Sequence, residues 1–178
     1  MDKLTNFLKG IGGASDLFYN AKKNKCYIEC VSLLANLVDA FLRISIILQY
    51  QIINNTSNII DELLFQDGDT KISEREIYNR SLNDKVIGEP LYKLLDDDLY
   101  KKRNKVIHRY IISEITSRNV KEIAENYEKV LIQIKVIVRD LELQQIRTGR
   151  GMTTSASLSL NEETLTLIEK LSDAKHGI

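Results

Sequence analysis

Pro90 is the only proline among 178 residues, and the eight glycines fall mainly between stretches of helical periodicity, so there are few places where a helix must stop. The chain is expected to be all-α. Its longest apolar stretch, Leu33 to Ile53, lies within a helix expected from about Lys25 to Ile53. That helix is apolar almost all round and belongs at the centre of a bundle. Asn36, Asp39 and Arg43 interrupt the apolar stretch and would be costly at bilayer depth, so it reads as a soluble core helix with no membrane partner.

Around this helix the spacing predicts short N-terminal helices over Asp2–Lys9 and Ala14–Lys22, separated by Gly10, Gly12 and Gly13. A turn at Asn54–Asn58 leads to a helix over Ser57–Gln66, ended by Asp67-Gly68-Asp69. Ser73-Glu74-Arg75-Glu76 is a capping box that opens another helix, and Pro90 suits the first turn over Leu91–Leu95. Asp96-Asp97-Asp98 provides an acidic start, favourable to the dipole, for a helix from about Leu99 to Ser117. Asn119 then caps a long helix to about Arg147, with Ile123, Tyr127, Val130, Leu131, Ile134, Ile137, Val138 and Leu141 on its apolar face. The expected organisation is an antiparallel bundle with short accessory helices over 1–147, a flexible Ser/Thr-rich linker over 148–160 and a small amphipathic helix and tail over 161–178. That last helix is too short to stand alone and must dock on something.

With 25 basic and 25 acidic residues the chain carries no net charge, and its 43% hydrophobic and 28% charged residues are ordinary for a globular domain, which excludes a disordered or nucleic-acid-coating protein. Cys26 and Cys30, one helical turn apart with no second Cys or His cluster, read as a buried apolar pair and exclude a zinc framework. The segment Met1-Asp2-Lys3-Leu4 lacks the pattern of a secretory leader, which points to a reducing, cytoplasmic setting.

Positive charge is concentrated locally: five of the nine residues from Lys101 to Arg109 are Lys or Arg, and one of the two histidines, His108, stands among them. An imidazole that exchanges protons near neutral pH, surrounded by guanidinium and ammonium groups, suits chemistry on a phosphodiester. Asn104 and His108 stack one turn apart, and Tyr110 returns to nearly the azimuth of Arg103. Lys101, Lys102, Lys105 and Arg109 are the candidate RNA contacts. On the central helix Ser32, Asn36, Asp39 and Arg43 form one polar stripe, read either as an internal Asp39–Arg43 ion pair with two neighbours or as a cleft wall supporting the motif helix from behind.

Arg103, Asn104, His108 and Tyr110 resemble the Arg-x4-His-x-Tyr variant of the HEPN superfamily, found in toxins paired with minimal nucleotidyltransferase antitoxins. The resemblance spans eight residues and implies a HEPN-like helical bundle acting as a metal-independent endoribonuclease in toxin or host-defence systems. It implies attack of a ribose 2′-OH on the adjacent phosphorus, with His108 moving the proton, Arg103 neutralising the transition state and Asn104 orienting phosphate or imidazole. No cofactor and no metal are implied. One chain supplies one suitable histidine, so a homodimer with two motifs across one cleft is expected, and Tyr110 is a candidate for adenylylation by a nucleotidyltransferase partner. Two other classes are a non-catalytic helical interaction module and a HEPN-type accessory subunit of a nucleotidyltransferase. The remaining features read as structural: His176 as a solvated tail residue, Gly149-Arg150-Gly151 as linker, and Lys22, Lys23 and Lys25 as a solvated helix end.

Overall fold

The computed structural model describes residues 2–64, 71–153 and 162–178. Among them every regular element is helical. Helix α1 spans Lys3–Lys23, capped by the Asp2 carboxylate on the Thr5 amide. The two short helices expected here are one. Leu4, Phe7, Ile11, Ala14 and Phe18 form an unbroken stripe packed on the core, while a Cβ at Gly10, Gly12 or Gly13 would meet nothing. Packing of the stripe outweighs the glycines' cost of about 1 kcal/mol each.

Helix α2, Tyr27–Asn54, is the central helix. It is long and apolar enough to cross a bilayer, yet 72% of its most apolar stretch is buried within the fold. Cys30 lies in the core whereas Cys26, at the helix start, is exposed, so the cysteines are not a buried pair. The next helix is shorter than expected: α3 covers Asp61–Leu64, and residues 57–60 are not helical. The Gln51 amide donates to the Ser57 and Asn58 carbonyls at 3.2 and 3.0 Å, which a helix would have needed for itself. The expected stop at Asp67-Gly68-Asp69 lies outside the described residues. Helix α4, Glu74–Asn83, opens with the expected capping box, each of Ser73 and Glu76 bonding the other's amide.

Helix α5, Glu89–Lys93, with Pro90 in its first turn, runs without a break into a π-helical segment, Leu94–Leu99, and then α6, Tyr100–Arg109. Two expectations are corrected here. The acidic triplet lies inside a continuous helical run and not at its start: Asp96 is buried against Arg75, and Asp97 and Asp98 pair with Lys101 and Lys102 one turn on. The helix also ends at Arg109, followed by a 3₁₀ turn over Tyr110–Ile112, so the motif occupies the end of α6 rather than the first half of a longer helix.

Helix α7, Ser117–Thr148, is capped by Thr116, with Asn119 as its reciprocal partner rather than the cap itself. Its expected apolar face is in the core, with Ile137 half-buried at the edge. Helix α8 covers Glu162–His176. It docks on α7 through Arg147–Glu169, Arg139–Asp173 and a Glu142 carboxylate shared by Lys175 and His176. His176 is therefore buried and not solvated, 2.8 Å from Glu142 and edge-on to Phe41. The first part of the expected linker is held as well: Gln145 Oε1 accepts from the Thr153 amide and hydroxyl, and Gln51 Oε1 from the Met152 amide. Residues 154–160 of that linker lie outside the described residues.

Successive long helices alternate in direction. Lys22 near the end of α1 meets Glu128 of α7, while Leu4 and Leu8 at its start share a groove with Val138 and Glu142. The two helices running the same way, α2 and α7, form the heart of the core, with Gln51 bonded to Gln145 at one end and Cys30 beside Glu128 at the other. α6 descends against α7, Lys102 and Lys105 sharing a groove with Asn119 and Asn126 and the Tyr110 hydroxyl lying 3.3 Å from Ser117 Oγ.

Candidate functional site

The basic segment of α6 divides into an inner and an outer face. Arg103 turns inward: its side chain keeps 17% of its exposure and its guanidinium binds the Glu74 carboxylate. The Tyr78 hydroxyl donates to the other Glu74 oxygen. Tyr100 lies between two cations, with Arg103 5.0 Å and Arg75 5.6 Å from its ring centre. Among the described residues Arg103 Nε and the Tyr127 hydroxyl are both buried without a well-formed hydrogen bond, although the phenol lies close enough to Arg103 and Tyr78 to feel both. Burial pushes the Glu74 carboxyl above its ordinary range, against the opposing pull of the Tyr78 hydrogen bond and the Arg103 charge. Burial likewise raises the Tyr78 and Tyr127 phenols, so both are neutral donors at physiological pH.

His108 turns outward. It is exposed, and its ring has no side-chain partner among the described residues. Arg103 and His108 lie about 140° apart around the helix, so a single chain does not bring them to one point. Asn104 is half-buried between them. Of the candidate RNA contacts, Lys101 and Lys102 are engaged by Asp97 and Asp98 at 3.1 and 2.8 Å. Lys105 and Arg109 are exposed, and no ion pair forms at either among the described residues. Lys102 and Lys105 edge a groove of about 300 Å³ toward Asn119, Glu122 and Asn126 of α7. Beyond Arg109 the 3₁₀ turn holds Ile111 and Ile112 at 95% and 82% exposure, an apolar projection beside His108.

Tyr110 is half-buried, with its hydroxyl on Ser117 at the start of α7. On α2, Arg43 binds Asp39 at 2.6 Å and donates to the Leu63 and Ile72 carbonyls. That is the internal ion pair of the first reading. Asp39 also bears on the site, since its charge adds to the upward pressure on Glu74 and Tyr78. Asn36 is exposed and Ser32 half-buried.

Sequence reasoning missed Glu74, Tyr78 and Tyr127, which surround Arg103. Glu74 looked like a helix-start acid, and Tyr127 looked like one more apolar residue. The available signal was two tyrosines at buried positions, whose hydroxyls need partners. Among the described residues no group of three or more His, Cys, Asp or Glu is placed to hold a metal. No family model, curated protein or solved structure matches this chain.

Proposed function

We propose that this chain is a metal-independent endoribonuclease of HEPN type, acting as a toxin or defence RNase in the cytoplasm. The observation that carries the proposal is the outer face of α6. There an exposed imidazole, without a side-chain partner among the described residues, stands between Lys105 and Arg109, which can attract a phosphodiester. The other imidazole, His176, is buried against Glu142.

In the proposed mechanism His108 takes the proton from a ribose 2′-OH as that oxygen attacks the adjacent phosphorus. The 5′-oxygen of the next nucleotide leaves, giving a 2′,3′-cyclic phosphate and a 5′-hydroxyl end. Arg103 neutralises the charge gathering on the non-bridging oxygens, and Asn104, between the two, orients phosphate or imidazole. Because one chain offers one accessible imidazole, the leaving oxygen takes its proton from His108 of a second copy. The exposed Ile111 and Ile112 supply apolar surface for that copy beside the motif.

A nucleotidyltransferase antitoxin would silence the enzyme by adenylylating Tyr110, placing a phosphate and a nucleotide beside Arg109. The inward engagement of Arg103 favours a second reading, a non-catalytic helical module that uses the outer face of α6 for binding alone, whether by itself or as an accessory subunit of a nucleotidyltransferase. The ends of the RNA products distinguish these readings. Fragments with 2′,3′-cyclic phosphate and 5′-hydroxyl ends, made by a chain that sediments as a dimer, support the ribonuclease. Absence of cleavage with RNA binding retained supports the module.

A further inference from the structure

Two adjacent residues of opposite charge at the start of α4 grip the motif helix at two levels. Arg75 holds Asp96 in the π-helical segment through two bonds of 2.5 and 2.7 Å, and Glu74 holds Arg103 about two turns further along. The capping box formed by Ser73 and Glu76 fixes the backbone that carries both. A π-helical segment contains an extra residue per turn relative to an α-helix and so sets the azimuth of everything after it. Here that azimuth directs Arg103 inward while leaving His108 outside.

The inward position of Arg103 is incompletely satisfied. Among the described residues its Nε has no acceptor, and the adjacent, fully buried Tyr127 hydroxyl approaches Arg103 and Tyr78 without a well-formed hydrogen bond to either. Tyr78, in contrast, steadies Glu74 from the far side. The pair therefore consists of a well-held carboxylate and a long cation, 17% exposed, that leaves its Nε without an acceptor among the described residues. Such a cation gains hydrogen bonds by moving out to a phosphate, which accepts from two guanidinium nitrogens at once.

Resting on the ribonuclease reading above, we propose that Glu74 is a positioning residue that keeps Arg103 withdrawn from the His108 face, and that an RNA phosphodiester draws Arg103 out by displacing that carboxylate. The resting chain is then held below full activity by an intramolecular anion occupying the phosphate-binding cation. Substrate must overcome this contact, which lowers its apparent affinity without touching the proton-transfer step.

The test combines accessibility with kinetics. Arg103 and Arg109 are labelled with phenylglyoxal in wild type, Glu74→Gln and Glu74→Asp, with peptide mass spectrometry as readout. RNA cleavage by the same proteins is then followed across RNA concentration. Wild type should label Arg103 much more slowly than Arg109, and Glu74→Gln should raise Arg103 labelling and lower KM by about tenfold each, with kcat changed far less. Glu74→Asp, which retains the charge but withdraws it by one methylene, should fall between them and carries the test if Glu74→Gln loses helix content. Equal labelling of Arg103 and Arg109 in wild type overturns the withdrawn position. Faster labelling with a higher KM or lower kcat overturns the restraint, because Glu74 would then be holding Arg103 in its working place. If neither wild type nor variants cleave RNA, the ribonuclease reading falls together with the gating role, and the labelling contrast shows whether the withdrawn cation itself was read correctly.

Discussion

Removing the Arg103 charge while keeping its bulk, Arg103→Met, should destabilise the fold more than removing the opposite charge by Glu74→Gln. The two side chains retain 17% and 18% of their exposure, so the roughly 3–5 kcal/mol lost on breaking a fully buried pair is reduced to roughly 2–3 kcal/mol for Arg103→Met. The other substitution should cost about 1 kcal/mol, because the orphaned guanidinium can swing into water on its long stem while the orphaned carboxylate stays under Tyr78. For a chain of this size each kcal/mol corresponds to about 2–4 °C, so melting temperatures should fall by about 4–12 °C and about 2–4 °C. The double variant should cost about 1–2 kcal/mol less than the sum. The Arg103→Met deficit should also depend on pH. A carboxyl whose folded pKa is raised contributes stability below the ordinary 4.5 and loses it as pH rises through the raised value. The deficit is therefore smallest in acid and complete at neutral pH. Urea melts of the four proteins across pH provide the measurement. Single variants within about 0.5 kcal/mol of wild type and strictly additive would refute the buried pair as the element organising this face.

Other outcomes follow from the same contacts. Gly13→Ala should stabilise the chain by about 0.5–1 kcal/mol in thermal melts, since the position is inside a continuous helix with open space around it; a loss of stability would mean that α1 is broken there. Glu142 is strongly desolvated, yet its bonds to His176 and Lys175 hold its carboxyl below the ordinary 4.5. Its stabilising effect is present above that pH and is lost as pH falls through the lowered value, so α8 should detach in acid in wild type and be loosened at all pH in Glu142→Gln, as amide exchange over 162–176 would report. Tyr110→Phe should keep RNase activity and escape silencing by a co-expressed nucleotidyltransferase. Full silencing of that variant, with no mass increase on Tyr110 in wild type, would remove the switch.

The helical framework was legible because it depends on local rules. The near absence of proline, the all-apolar face of α2, the Ser73–Glu76 capping box and the Ile123–Leu141 stripe each specify their element without reference to the rest of the chain. The sequence misled where a distant side chain outweighed a local rule. Three glycines break α1 by propensity, but its apolar stripe fits the core and the helix continues. Asp96 resembles a helix-start acid until Arg75, 21 residues earlier, is brought beside it. His176 reads as a tail residue until α8 folds back on Glu142. At the site, the basic helix and its outward imidazole were legible, whereas the inward turn of Arg103 was not. That orientation depends on the π-helical segment, which shifts the azimuth of α6, and on Glu74, whose partner lies 29 residues away.

The measurement that bears most directly on the account is cleavage of RNA by the purified chain in EDTA, wild type against His108→Ala. His108 is exposed and bonds to no side chain among the described residues, so the substitution should leave the melting temperature within about 2 °C, as for an ordinary surface change. Wild type should cleave without metal, and His108→Ala should lose at least about a hundredfold in rate, the scale of a positioned proton-transfer group. Cleavage that requires magnesium, or that survives in His108→Ala, would contradict the assignment of this face as the catalytic one.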